Sequence, residues 1–345
     1  MKNIVSFFLL LLFCRGLHAE TAEQGIIFSG NNRGLLLSCA CEIPAGGLPR
    51  IATLRDSLGK GPLLAACGNQ FFARMPKAGD DQILAQKQAR LQAQIMKDLH
   101  YDVINIGEYD LCYGLRFLQS LEEDMGLPLI SANLRDTEGN PVFPPFRIVI
   151  RDGIRIAYIG ICSRSDGFNF RVADPLPVLQ ELLRKDLHRE ADFVILLADA
   201  PLSGLKPFLD KYPGIDFTVF AKELYATPFT RSAESGNYAH LGFQGQFSGY
   251  LRLIFRDPDA NWKDLTLQYR NWRSAENLLH ASSQETAVLQ RQYRRIRDKA
   301  KSACRAESRK SPNYYYWDLI SMTMEIPERP DILELIQNLV REDKK

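Results

Sequence analysis

Short, wholly apolar runs alternate with segments of helical period through the first two hundred residues of the chain. Ile26-Ile27-Phe28 reads as a buried strand that opens into a polar loop, Asn31-Asn32-Arg33-Gly34. A Cys-Ala-Cys pair at 39–41 and a Gly-Gly turn follow, and residues 48–58 predict the start of a helix. Residues 62–66 predict a second buried strand, ending at Cys67-Gly68-Asn69. Ile83, Leu84, Leu91, Ile95 and Leu99 recur at helical spacing, so 80–99 predicts an amphipathic helix capped by Asp80 or Asp81 and interrupted at Gln88. Residues 103–106 predict a strand that breaks at Gly107 into Glu108-Tyr109-Asp110. A helix at 115–123 and a short strand at 129–133 come next.

Residues 146–150 and 154–161 are β-rich and flank Arg151-Asp152-Gly153, a hairpin signal. A helix is predicted at 177–187, then strands at 193–197, ending in Ala198-Asp199, and at 217–220. The alternation predicts an α/β core whose strand ends at 28, 67, 106, 161 and 197 open onto one shared edge, where α/β proteins place their sites. After Gly245 the pattern changes, and 250–255 and 265–269 read as antiparallel strands. Residues 285–304 predict a basic helix, whose arginines suit either a polyanion or a solvated, packing face. Residues 311–316 read as the end of a polar linker. Tyr314, Tyr315, Tyr316 and Trp317 suit an interface or a core-facing segment equally, and 332–340 predicts a last amphipathic helix.

Composition adds a compartment. Lys2, the apolar run 4–13 and Leu17-His18-Ala19 have the layout of a secretory signal cleaved near Ala19, which predicts a periplasmic or secreted protein. That run is too short to span a bilayer, bulky Phe13 before Cys14 argues against a lipidated cysteine, and no later stretch is an integral membrane segment. Loss of Lys2 and Arg15 takes the formal net charge from +2 to zero, so nothing global attracts nucleic acid or an anionic membrane. Cysteines 39, 41, 67, 112, 162 and 304 remain, enough for one or two bridges in an oxidising compartment.

Four segments then occur in a telling order: Gly46-Gly47-Leu48-Pro49-Arg50, the YDVINIG run at 101–107 with Tyr113-Gly114-Leu115 after it, PLISANL at 128–134, and GIRIAYIG at 153–160. Together they resemble the metal-dependent phosphoesterase domain of the periplasmic 5'-nucleotidases, over residues 25–258. The resemblance implies the calcineurin-like fold, α/β with two mixed β-sheets flanked by helices, here with a mainly helical C-terminal appendage. The expected organisation is a signal segment at 1–19, a metallophosphoesterase-like domain at 20–272, and a basic helix, linker and C-terminal helix at 273–345 packing on it. The full substrate domain of nucleotidases does not fit in that length.

The family's catalytic residues do not carry over. Its opening Asp and His fall at Asn31 and Arg33, its bridging Asp at Asn69, and its Asn-His pair at Glu108 and Tyr109, with Asp110 beyond. The next His falls at Asp199, and the final Gly-His-x-His at Ala221-Lys222-Glu223-Leu224. Two adjacent divalent ions need several carboxylate or imidazole ligands, one of them shared. Cations at Arg33 and Lys222 and an amide at Asn69 oppose that, and His240 has no second His or Cys near it in sequence. The expectation is therefore a non-catalytic binding or accessory protein without a cofactor, its partner an unidentified small molecule or envelope protein.

The alternatives are a residual hydrolase of phosphomonoesters or nucleotides, using Mn, Zn or Mg on Glu108, Asp110 and Asp199, and a thiol-disulfide protein using Cys39 and Cys41. Cys67 and Cys112 are further bridge candidates, and a metal held by Cys39, Cys41 and a third thiol is the remaining reading of the sulfurs. Asn31, Asn32, Arg33 and Asn69 either form an anion or polar-ligand pocket or, through Arg33, neutralise Glu108, Asp110 or Asp199 in place of metal.

Overall fold

The computed structural model describes residues 21–39, 42–59, 61–163, 167, 169–222, 237–283 and 285–342. The expected signal segment, Cys41, Glu223 and Leu224 lie outside them. Strands and helices are numbered in chain order. The run from Ile26 to Phe28 is completely buried, as a strand covered on both faces must be, and it belongs to β1 (Ala22–Ser29). β1 pairs in parallel with β2 (Leu63–Ala66), which leads to β3 (Val103–Asn105) and β4 (Leu129–Ile130). Its other edge runs antiparallel to β12 (Phe247–Phe255), followed by β14 (Asn313–Ser321) and β13 (Trp262–Asp264).

The second sheet has the order β11 (Tyr238–His240), β10 (Phe217–Phe220), β9 (Phe193–Ala198), β7 (Ile154–Ile161) and β6 (Phe146–Arg151). The hairpin joining its last two strands turns at Asp152-Gly153, both with positive φ, as a tight two-residue turn requires. A short pair, β5 (Leu134–Arg135) and β8 (Arg171–Val172), stands apart.

Strand alternation sorts side chains into three layers of core. Ile26, Phe28, Leu63 and Val103 meet Ile156, Phe193, Ile195, Phe217 and Val219 between the sheets. Ile27, Leu64 and Ile104 face outward onto α1 (Leu48–Ser57), α2 (Gln82–Asp98), α3 (Gly114–Met125) and α8 (Pro330–Glu342). Ile159, Val194 and Leu196 pack against α4 (Pro175–Arg184) and α5 (Leu202–Lys211). The architecture is the sandwich of two mixed sheets that the resemblance implied. Among the described residues no helix is long and apolar enough to cross a membrane.

The Gly-Gly-Leu-Pro-Arg segment has a structural reason for four of its five residues. A Cβ on Gly46 would stand 2.6 Å from the Gln244 carbonyl oxygen, and one on Gly47 2.9 Å from the Leu37 carbonyl carbon, both at positive φ. Pro49 sits in the first turn of α1, where its missing N–H is harmless. Arg50 is buried and joins the carbonyls of Gly46 and Thr323, with Glu328 2.8 Å away, fastening α1 to the chain's last segment.

Four expectations need correction. Asp81 caps α2 by accepting the Leu84 N–H, but the helix buries Ala89, Gln92, Ala93, Ile95 and Met96, and Ile83 is exposed. Gln92 is the reason: its amide reaches the Gln70 carbonyl at 2.9 Å, so the face turned inward carries a polar anchor. Residues 265–269 belong to the start of α6 (Thr266–Ala281), since Asp264 accepts the Thr266 N–H and ends β13. The tyrosine run is not a linker. It is β14, with Tyr315 and Trp317 buried in the inter-sheet core. The helices α6 and α7 (Ala287–Ser308) pack on each other and form the crossover between the parallel strands β13 and β14, so a boundary at 272/273 falls inside α6.

Candidate functional site

The ends of β1, β2, β3, β7 and β9 meet at one edge, as the alternation predicts. Beyond the strands, the backbones of the first two loops stay paired: Asn31 N–H to Gly68 O, Arg33 N–H to Asn69 O, and Gly34 N–H to Gln70 O, all at 2.8–2.9 Å. Asn31, Arg33 and Asn69 all have left-handed backbones, with φ between 51° and 59°. Short amide side chains tolerate that conformation and arginine less so, and such strain gathers where a side chain must be aimed. Asn31 donates to Gly242 O, and Asn32 to Gln70 Oε1, each at 2.8 Å.

Asn69 is the centre of the edge. Its Nδ2 donates to Asp199 Oδ1 at 2.7 Å and its Oδ1 accepts the Tyr109 N–H at 2.9 Å. Gly107 makes room for it, since a Cβ there would lie 2.4 Å from Asn69 Oδ1. Asp199 is fully buried and also accepts the Glu108 N–H at 2.6 Å and the Ser163 hydroxyl. Burial pushes its carboxyl above the usual range, while the Glu108 N–H, the Lys222 ammonium and the Asn69 amide oppose the shift.

Lys222 Nζ stands 2.7 Å from Glu108 Oε2. Asp110, also fully buried, accepts the N–H groups of Phe71 and Gly107 at 2.9 Å and caps the 3-10 turn Glu108–Tyr113. Burial pushes its carboxyl up to about 7, with the Asp199 charge adding to the shift against the two N–H donors.

Arg33 neutralises none of these acids. Its guanidinium lies over the Tyr109 ring, 3.7 Å from the centroid, with Phe243 beyond at 5.4 Å. Lys222 is the cation that faces the acids. The single-cation reading of Glu108, Asp110 and Asp199 meets the same geometry: their oxygens are taken by backbone N–H groups, Asn69 and Lys222. Among the described residues no group of three His, Cys, Asp or Glu is placed to hold a metal ion. His240 ends β11 and stacks on Phe220 at 5.1 Å.

Among the described residues the cysteines form no metal-holding group of three. Cys67 and Cys112 are free thiols. Cys67 is wholly buried and donates to Val219 O at 2.9 Å, and its pKa is raised well above the usual thiol value by burial. Burial likewise pushes Cys112 up to about 12. Both shifts oppose the thiolate that exchange chemistry needs. Cys39 is buried beside Gln246. Three site residues have no counterpart in the sequence reading: Gln70, Ser163 and Asn105. Asn105 donates to Cys67 O and Ile161 O and so ties the two sheets together at this edge. An amide inside the apolar run YDVINIG is the one signal that marks it.

This sandwich, with its loops gathered at one edge, is the calcineurin-like phosphoesterase fold. No protein-family model matches the chain. It is similar to the trifunctional nucleotide phosphoesterase protein YfkN of Bacillus subtilis, 23% identical over 57% of this chain and 16% of that one. The calcineurin-like phosphoesterase YfkN structure from the same organism superposes at TM-score 0.64 and 16% identity, over 94% of this chain and all of that one. A 5'-nucleotidase precursor from Thermus thermophilus gives 0.65 and 15%, over 93% of this chain and 59% of its own. The chain thus spans 59% of that nucleotidase and 16% of the full YfkN protein.

The fold family implies divalent metal, and the donor set among the described residues does not fit it. A bridging position needs a carboxylate that can lend an oxygen to each ion. Asn69 offers one carbonyl oxygen, already bonded to Tyr109 N–H, and turns its NH₂ toward Asp199. The position nearest the acids carries an ammonium, whose charge repels a divalent cation.

Proposed function

We propose that this protein is a secreted, periplasmic, non-catalytic relative of the 5'-nucleotidases that works as a binding or accessory protein. One observation supports this above the others: the Asn69–Asp199 hydrogen bond and the Lys222–Glu108 ion pair close the edge where a phosphoesterase of this fold would carry ions. An enzyme would gain nothing from a cation that competes with its own metal, whereas a binding protein gains a rigid edge. Secretion rests on the N-terminal charge and hydropathy pattern alone. The names of the similar proteins point instead to phosphoester hydrolysis, so the test is direct. Purified protein is assayed against several phosphomonoesters and nucleotides with Mn²⁺, Zn²⁺ or Mg²⁺. The expected result is no turnover above buffer. Metal-dependent turnover that disappears in Asp199→Ala or Asp110→Ala would establish the hydrolase in its place.

A further inference from the structure

Next to the closed edge lies a cavity of about 300 Å³, between the loop carrying Arg33, the 71–76 segment and the first turns of α2. That is the size of a small ligand site. Its formal charges balance, Arg33 and Arg74 against Asp80 and Asp81, but they pair unevenly. Arg74 is bonded to both oxygens of Asp80 at 2.8 Å, and Asp81 accepts the Leu84 N–H. Arg33 remains. Among the described residues its guanidinium has no ion pair, its buried Nε has no hydrogen-bond partner, and its near neighbours are the rings of Tyr109 and Phe243. A buried donor left unmatched calls for an explanation, and here the chain also holds Arg33 at φ 59°, a conformation arginine rarely adopts. The stack on Tyr109 uses the face of the guanidinium and leaves its Nε–H unmatched.

The walls identify what it awaits. Phe72 and Tyr113 stand 4.6 Å apart and present apolar surface, continued by Leu84. A planar donor fork lining the same cavity as these aromatic walls suits a carboxylate attached to a ring or a branched apolar body. Asp81 at the same cavity, without an ion pair among the described residues, would repel the second charge of a phosphate dianion. We propose that this cavity binds a small monocarboxylate with an aromatic or branched apolar body, its carboxylate on Arg33 and its body against Phe72 and Tyr113.

This site deepens the binding-protein reading and rests on it, and the two fail separately. The test is calorimetric titration of the full chain with benzoate, with benzamide and inorganic phosphate as comparators, repeated on Arg33→Gln and Gln88→Trp. The second variant fills the cavity from α2 and leaves Arg33 in place, so it decides alone if the first does not fold. Benzoate is expected to saturate one site, with affinity at least tenfold lower in either variant and at least tenfold above benzamide and phosphate. Failure of benzoate to saturate the native chain, unchanged affinity in a folded variant, or equal binding of phosphate would each overturn the proposal. Phosphomonoester turnover, by contrast, would sink the binding-protein reading and leave a benzoate site standing.

Discussion

The side chain of Asn69 joins two loops at once, donating to Asp199 Oδ1 at 2.7 Å and accepting the Tyr109 N–H at 2.9 Å. A carboxylate at this position would keep the second bond and replace the first with repulsion between two buried negative charges. Asn69→Asp is therefore expected to lose about 2–4 kcal/mol of stability near neutral pH. A carboxyl whose folded pKa is raised destabilises fully only above that raised value and not at all below its unfolded one, so the gap from the native chain narrows as pH falls toward ~5. Urea unfolding at the two pH values measures it. An Asn69→Asp protein as stable as the native one at neutral pH would show that the amide is not the joint described.

Lys222 and Glu108 test the second closure of the edge. Their side chains are 34% and 25% exposed, so the pair is partly screened. A double-mutant cycle of Lys222→Met and Glu108→Gln is expected to give a coupling of about 0.5–1.5 kcal/mol in low salt, shrinking in ~1 M salt. No coupling at low salt would leave Asn69 as the sole lock.

The sequence shows the core well because the core is written in local pattern. Ile26-Ile27-Phe28 and the segment after Asp192 are buried on both faces, and their shortness and β-branched or aromatic content favour a strand over a buried helix. The site was legible as a place, through the order of Gly46-Gly47, Gly68 and Gly107, and not as an arrangement. Which cation faces Glu108 depends on the end of β10 arriving opposite the end of β3, 114 residues away in sequence. Arg33 and Lys222 look alike in a string, and only the crossing of the two sheets tells them apart. The missed strand β14 has the same cause. Tyr314-Tyr315-Tyr316-Trp317 alternates between a half-buried and a buried face, but aromatic residues hide a period that polar ones would reveal.

That strand yields a prediction about the chain's last segment. β14 lies between β12 and β13, and Trp317 packs on Phe217 at 5.7 Å with the Arg270 guanidinium 4.1 Å from its ring. Removing it would strip the inter-sheet core of Tyr315 and Trp317 and expose the edge of β12. A chain ending at residue 310 is expected to show no cooperative thermal transition. Trp317→Ala, which keeps the strand, is expected to fold with a loss of about 3–5 kcal/mol. A cooperative melt in the shortened chain would mean that β12 tolerates an open edge and that the last segment is an appendage after all.

Asp110 gives the edge a dependence on pH whose sign is unusual for an acid. Its folded carboxyl is pushed up to about 7, chiefly by burial, and in the unfolded chain it returns to about 4. Between those values the folded state holds a proton that the unfolded state has lost, so this group's contribution to stability is fullest below ~4 and declines as pH rises to 7. The slope is about 1.4 kcal/mol per pH unit, a few kcal/mol in all. Asp110→Asn cannot ionise, yet its NH₂ would face the N–H of Phe71 or Gly107, a mismatch worth about 1–3 kcal/mol at any pH. The variant is thus expected to be less stable than the native chain near pH ~4.5, with the difference shrinking or reversing by ~7.5. Denaturant unfolding of both proteins side by side cancels the contribution of exposed acids. A difference that stays constant across that range would show that Asp110 ionises normally and that its burial is relieved by something other than a proton.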